Sequence, residues 1–140
     1  MTKSISKKII QDTVKINVKN ALNEDHVFDD NTTELLNNKI VGDAFIRSNQ
    51  KCILCGIPWA NECFKQINAK IKIEWLVEEG ISIKKNQKIC FIKGPYKDLL
   101  TAERTVLNFL QTLSGTSTST FTYVHLLKKY HANLYDTRKT

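Results

Sequence analysis

The spacing of apolar residues changes at Pro95, and this change limits the chain to folds that join a small sheet to a long helix. Before it, residues 70–76 (KIKIEWL) alternate apolar and charged side chains, as a strand with one buried face requires. After it, apolar side chains recur at helical spacing over residues 96–113. We therefore predict the α+β class, because neither an all-helical nor an all-strand chain shows both periods.

The remaining elements are assigned from the same two periods. An amphipathic pattern predicts a helix over residues 5–22, and a polar loop follows at 23–33. Further strands are expected within 40–55, at 81–83 and at 89–92, and a short helix starts near Pro58. Together these predict a small antiparallel sheet with packed helices.

Residues 114–120 (SGTSTST) admit two interpretations. Their composition suits a flexible linker, but small side chains also let two backbones approach closely in a helical crossover. Apolar spacing supports a helix across 116–130, and residues 133–135 (NLY) are expected to begin a strand.

The net charge of +7 raises the possibility of a nucleic-acid binder. The lysines are spread along the whole chain without interleaved aromatic residues, so we expect a solvated surface and no nucleic-acid partner. Only three arginines accompany 18 lysines: Arg47, Arg104 and Arg138. In such a chain an arginine suggests a need for its planar fork, which binds paired carboxylate or phosphate oxygens.

The four cysteines are Cys52, Cys55, Cys63 and Cys90. Cys52 and Cys55 have the CxxC spacing of metal and redox sites, but in a strand such positions face opposite ways. No second CxxC completes a zinc set, so we predict no metal site and reduced thiols. No apolar run is long enough to span a membrane, and we identify no secretory signal. We therefore expect a cytoplasmic protein.

Three segments together resemble the quinolinate phosphoribosyltransferase family, also known as nicotinate-nucleotide pyrophosphorylase (carboxylating). They are residues 21–25 (ALNED) with Asp30 and Thr32, residues 100–115 (LTAERTVLNFLQTLSG), and residues 136–140 (DTRKT). Residues 54–56 (LCG) and the stretch from Glu79-Gly80 to Gly94-Pro95 fall in the family's order and spacing. The first loop departs from the family because residues 26–30 lack the usual glycines.

The resemblance implies a hammerhead-like N-terminal domain over residues 1–110. Residues 111–140 would supply a crossover helix and the first strand of a β/α barrel. In such enzymes two subunits pack head to tail, so the resemblance implies a homodimer for the full-length protein. Further site residues would lie beyond Thr140, and we expect the 140-residue chain alone to be inactive.

The family's reaction belongs to NAD biosynthesis. The nitrogen of quinolinate attacks C1 of phosphoribosyl pyrophosphate, giving nicotinate mononucleotide, pyrophosphate and carbon dioxide, with Mg²⁺ held by ligands outside this chain. By resemblance, Arg104 reaches the quinolinate site of the neighbouring subunit. Thr137, Arg138 and Lys139 line the substrate site, where Arg138 holds a carboxylate and Lys139 lies near the anionic donor. No catalytic residue is identified.

Other interpretations stay open at this point. Arg104 could be a solvated helix residue paired with Asp98 or Glu103, and Arg138 with Lys139 could be a basic tail. The ring acted on could be another, such as nicotinate. Residues 78–94 (EEGISIKKNQKICFIKG) also resemble the hairpin of biotinyl and lipoyl carriers, but no lysine sits in the signature that a carrier needs.

Overall fold

The computed structural model describes residues 6–25 and 40–136. The predicted α+β class is confirmed, with the elements in the expected order. In chain order these are α1 (Lys7–Glu24), β1 (Val41–Arg47), β2 (Cys52–Ile53), α2 (Ile57–Ile67), β3 (Lys72–Trp75), β4 (Ser82–Ile83), β5 (Lys88–Pro95), α3 (Tyr96–Leu127) and a 3-10 turn (Lys128–Tyr130).

Strand β5 forms the centre of a three-stranded antiparallel sheet, with β1 on one side and β3 on the other. Ile92 pairs with Ala44 of β1 and with Ile73 of β3. The alternation predicted over residues 70–76 is confirmed: Ile73 and Trp75 are partly buried, while the intervening charged residues are exposed. Strands β2 and β4 form a separate antiparallel pair.

The core lies between the sheets and the three helices. Helix α1 packs on α2, and α2 packs on α3. The N-terminus of α1 is capped by Ser6, whose Oγ accepts a hydrogen bond from the Ile9 amide at 3.3 Å. The core side chains are Val14, Val18, Leu22, Leu54, Ala60, Cys63, Phe64, Ile83, Ile89, Cys90, Ile92, Leu99, Ala102, Val106 and Leu110.

Helix α3 runs without interruption for 32 residues. The flexible-linker interpretation of residues 114–120 is therefore wrong, whereas a helix with small side chains at a close contact agrees with the structure. The hydroxyls of Thr116, Thr118 and Thr120 donate to carbonyls four residues earlier, so they find their partners within the helix. The expected domain division between residues 110 and 111 falls inside this helix, and it stays a prediction.

Residues 133–135, where we expected a strand to begin, form neither helix nor strand, and the same holds for residues 132 and 136. A strand needs a hydrogen-bonding neighbour, and no described strand pairs with these residues. The two sheets within residues 40–95 therefore contain all the described strands. None of the helices in the described part of the chain combines the length and apolar character that a membrane crossing requires.

Candidate functional site

Arg104 lies on the exposed side of α3, in the first third of the helix. Its neighbours Ala102, Thr105 and Val106 are buried, so the helical period turns Arg104 away from the core. Within residues 6–25 and 40–136 the ion pairs join Lys65 to Glu62 and Lys93 to Asp43. Neither ion pair includes Arg104, so the pairing with Asp98 or Glu103 is not formed among these residues, whereas the solvated helix position of Arg104 agrees with the structure.

Arg104 does not line the larger cavities beside α3. One cavity of about 420 Å³ lies between β1 and α3, and Glu103 contributes to its wall. Another, of about 630 Å³, lies between the 46–54 segment and the middle of α3. Arg104 is part of neither lining, so within the described residues a substrate held by its guanidinium would need a further surface to enclose it.

The three other predicted site residues, Thr137, Arg138 and Lys139, lie outside the described residues. The structure therefore neither brings them to Arg104 nor separates them from it. The first loop, where the chain departs from the family pattern, also lies outside the described residues from 26 to 33.

Asp25, the C-cap residue of α1, makes a contact with a distant part of the chain. Its Oδ2 accepts a hydrogen bond of 2.8 Å from the hydroxyl of Thr105. Thr105 is 1% exposed and follows Arg104 directly. The first two segments that carry the family resemblance thus meet through this bond.

The middle of α3 is attached to the backbone of β2 and the residues after it. Ser114 Oγ accepts from the amide of Cys55 and donates to the carbonyl of the same residue, both at 3.0 Å. One turn later, Thr118 Oγ1 accepts from the Ile53 amide at 2.9 Å. These hydroxyls satisfy backbone groups at the end of a two-residue strand, and they explain why small polar residues occupy a closely packed helix face.

The turn between β2 and α2 depends on a glycine and a distant carboxylate. Gly56 has φ of 114° and lies against α3. Both oxygens of Glu79 accept backbone amides there, from Gly56 at 2.8 Å and from Ile57 at 2.9 Å. A carboxylate at this position satisfies free amides at the start of α2 and complements the helix dipole.

The four cysteines are free, and they differ in exposure: Cys63 and Cys90 are buried, whereas Cys52 and Cys55 are partly exposed. Burial raises the pKa of Cys63 from 9.0 to about 12 and that of Cys90 to about 11. For Cys55, burial together with the neighbouring Glu79 carboxylate raises the pKa to about 11. A thiol with a raised pKa carries little thiolate near neutral pH, which is unfavourable for nucleophilic or redox chemistry.

We expect Cys63 and Cys90 to resist alkylation in the folded chain. At pH 8 a thiol with pKa near 11 is about 100-fold less ionised than one near 9, and both side chains are 0% exposed. Peptide mapping after iodoacetamide treatment should show modification of both only when urea is present. Rapid labelling of either in the native state would contradict this.

The more exposed Cys55 provides the pH test. Because its reactive form is the thiolate, its labelling rate should increase about tenfold per pH unit from pH 8 to 10. The slope should flatten as pH approaches 11. A rate already constant above pH 9 would contradict the raised pKa.

Magnesium, which the family resemblance implies, has no evident ligand set here. Among the described residues no three His, Cys, Asp or Glu side chains are grouped closely enough to hold a metal ion. Mg²⁺ prefers several oxygen ligands in octahedral geometry. The described part of the chain does not fit this requirement, and we derive no step through the metal.

Comparison with known proteins indicates the same family that the sequence motifs resemble. The family model described as "Quinolinate phosphoribosyl transferase, N-terminal domain" matches residues 30–114. The mitochondrial quinolinate phosphoribosyltransferase [decarboxylating] 2b of Nicotiana tabacum is 33% identical over 98 residues, which are 70% of this chain and 27% of that protein. A probable nicotinate-nucleotide pyrophosphorylase [carboxylating] of Synechocystis is 30% identical over 99 residues, covering 71% of this chain and 34% of that protein.

Solved structures show the same likeness over more of the chain. The nicotinate-nucleotide pyrophosphorylase from Francisella tularensis superposes with a TM-score of 0.87 at 41% identity, covering 93% of this chain and 46% of that one. NadC from Streptococcus pyogenes gives a TM-score of 0.84 at 27% identity, with 99% and 48% coverage. This chain spans about half the length of these solved chains and about a third or less of the curated relatives described above.

The family model covers more than half of the chain. It includes the segments in which Gly56, Glu79, Thr105 and Ser114 make the contacts described above. The chain therefore belongs to the family of the quinolinate phosphoribosyl transferase N-terminal domain.

Proposed function

We propose that this chain supplies the N-terminal part of a quinolinate phosphoribosyltransferase. The reaction joins the ring nitrogen of quinolinate to C1 of phosphoribosyl pyrophosphate, while the bond from C1 to pyrophosphate breaks and carbon dioxide leaves. Nicotinate mononucleotide is the product. The observation that carries the proposal is the match to the family over residues 30–114, within which Arg104 is exposed and has no ion-pair partner among the described residues.

Arg104 has the chemistry that the substrate demands. Quinolinate carries two carboxylates, and a guanidinium can bind two carboxylate oxygens at once in a planar fork. The net charge of +7 also favours the approach of two anionic substrates. We assign Arg104 to binding a quinolinate carboxylate, and Thr137, Arg138 and Lys139 to the same substrate site, with Lys139 near the phosphoribosyl donor.

The proposal includes a second subunit. Because Arg104 lies on an exposed helix face and lines neither of the two cavities described above, we propose that a further surface encloses its substrate. We propose a homodimer in which the N-terminal domain of one subunit covers the barrel of its partner. Mg²⁺ would accompany the pyrophosphate, with ligands outside the described residues. We place the enzyme in the cytoplasm, although relatives include mitochondrial and chloroplastic proteins.

The test compares the 140-residue chain with a completed enzyme. In the completed enzyme, residues 1–140 are followed by the remainder of the Francisella tularensis relative, of which this chain covers 46%. With Mg²⁺, quinolinate and phosphoribosyl pyrophosphate, we expect the completed enzyme to release one pyrophosphate per nicotinate mononucleotide. The 140-residue chain alone should release none.

Two outcomes would contradict the proposal. Turnover by the homogeneous 140-residue chain would show that its own residues form a whole active site. A completed enzyme that uses nicotinate and ignores quinolinate would support a phosphoribosyltransferase for another ring. The unmodified Francisella tularensis enzyme serves as the positive control for the assay.

A further inference from the structure

We infer that the hydrogen bond between Asp25 and Thr105 sets the rotation of α3 that presents Arg104 to substrate. Asp25 and Thr105 are therefore positioning residues for the quinolinate site. This inference rests on the proposed function, because it assumes that the guanidinium of Arg104 binds quinolinate. Neither Asp25 nor Thr105 is expected to touch substrate.

The first argument is the position of the bond along the helix. Thr105 donates to Asp25 at 2.8 Å, and Thr105 is adjacent to Arg104 in sequence. At about 100° per residue, the Arg104 side chain leaves the helix about 100° away from Thr105. The bond thus acts on the same helical turn as the guanidinium without facing it.

The second argument is that α3 is held by polar contacts on two opposite sides. Ser114, bonded to the backbone of Cys55, lies nine residues after Thr105, which at about 100° per residue is about 180° around the helix. Hydrogen bonds are directional, unlike apolar contacts, and they weaken steeply when bent. Two such contacts on opposite sides therefore oppose rotation about the helix axis, in addition to the burial of the apolar stripe.

The third argument comes from the packing beside the bond. A cavity of about 380 Å³ lies next to it, lined by residues that include Ala21, Trp59, Thr105 and Asn108. Close packing therefore does not lock this face of α3 against α1. Among the described residues, the bond between Thr105 and Asp25 is the side-chain hydrogen bond that joins α3 to the end of α1, and the cavity leaves room for α3 to rotate if the bond is lost.

A small rotation is enough to affect substrate binding. A side-chain tip lies about 6 Å from the helix axis, so a rotation of about 10° moves it by about 1 Å. A misplacement of about 1 Å can reduce a reaction about 100-fold. Since the Arg104 side chain can partly compensate by changing rotamer, we expect a loss of about tenfold.

The experiment uses the completed enzyme and a matched pair of substitutions. Thr105→Val keeps the shape of the side chain and removes the hydroxyl, whereas Thr105→Ser keeps the hydroxyl. We expect Thr105→Val to raise the KM for quinolinate about tenfold and to leave the KM for phosphoribosyl pyrophosphate within twofold. Thr105→Ser should stay within twofold of the parent for both. Asp25→Ala should behave like Thr105→Val.

A double-mutant cycle shows whether the effect passes through Arg104. In an Arg104→Lys background, which lacks the planar fork, Thr105→Val should change the KM for quinolinate less than twofold, because the group it positions is already gone. An equal effect in both backgrounds would overturn the inference. So would a lower Tm and kcat with unchanged KM, since that describes a structural role alone.

A different result would contradict the proposed function. If the completed enzyme does not convert quinolinate while the Francisella tularensis enzyme does, the assigned activity is wrong, and the inference falls with it. If quinolinate is converted and Arg104→Lys has parent-like kinetics, the activity stands and the positioning inference is overturned. Additive effects of Thr105→Val and Arg104→Lys in the double-mutant cycle likewise overturn the positioning inference and leave the proposed activity in place.

Discussion

Replacing Arg104 with alanine in the completed enzyme is expected to lower kcat/KM for quinolinate about 100-fold. Hydrogen bonds to charged groups contribute about 1.5–3 kcal/mol, and each 1.4 kcal/mol corresponds to about a factor of ten. The loss should appear chiefly in the KM for quinolinate, because the lost contact is to that substrate. Initial rates at varied quinolinate and saturating phosphoribosyl pyrophosphate measure this effect.

Two further variants separate the role of the guanidinium from a general loss of charge. Arg104→Lys keeps the positive charge and loses the fork, so its activity should fall between those of the parent and Arg104→Ala. Arg47→Ala removes another exposed arginine, on β1, and should leave the kinetics unchanged. Equal losses in Arg104→Ala and Arg47→Ala would indicate a nonspecific charge effect and contradict the assignment of Arg104.

Replacing Gly56 with alanine should lower the free energy of unfolding by about 3 kcal/mol. Gly56 has φ of 114°, which side chains other than glycine rarely adopt. An added Cβ would also lie 3.3 Å from Leu113 Cδ1 and 3.4 Å from both Leu110 Cα and Phe109 O of α3. Strain of about 1–3 kcal/mol adds to the cost of pushing α2 away from the α3 backbone. Urea unfolding of the 140-residue chain with and without Gly56→Ala measures the total change in the free energy of unfolding.

Substitutions at two other glycines distinguish the backbone strain at Gly56 from its contact with α3. Gly80 has φ of 81° with nothing within 4 Å of an added Cβ, so Gly80→Ala should cost about 1 kcal/mol from backbone strain alone. Gly115 lies inside α3, also with nothing within 4 Å, and Gly115→Ala should stabilise the chain by about 1 kcal/mol. If Gly56→Ala costs no more than Gly80→Ala, the contact of Gly56 with α3 is unimportant.

The sequence predicted those parts of the fold that depend on local spacing. Alternation over residues 70–76 identified the partly buried face of β3, and the stripe through Leu99, Val106 and Leu110 identified the buried face of α3. Arg104 lies off this stripe and is exposed. These predictions succeed because burial of one face is encoded within a few neighbouring residues.

Contacts between distant segments were not predictable in this way. Ser114 and Thr118 have the composition of a linker, and their role depends on amides of β2 and its end, 59 and 65 residues earlier. Thr105 carries one signal in the sequence, because a hydroxyl at a position on the buried stripe needs a partner. Nothing near it in sequence identifies Asp25, 80 residues away, as that partner.

The uninterrupted course of α3 has a mechanical consequence. At about 1.5 Å per residue, its 32 residues form a rod about 48 Å long. Its last nine residues include no buried side chain, and they expose Phe121, Tyr123 and Leu126. About 33 Å of helix separates Arg104 from Leu126. Any surface that covers the far end of the helix is therefore held at a set distance from the guanidinium of Arg104. A one-residue insertion between Arg104 and Leu126 would rotate one end of the helix by about 100° relative to the other.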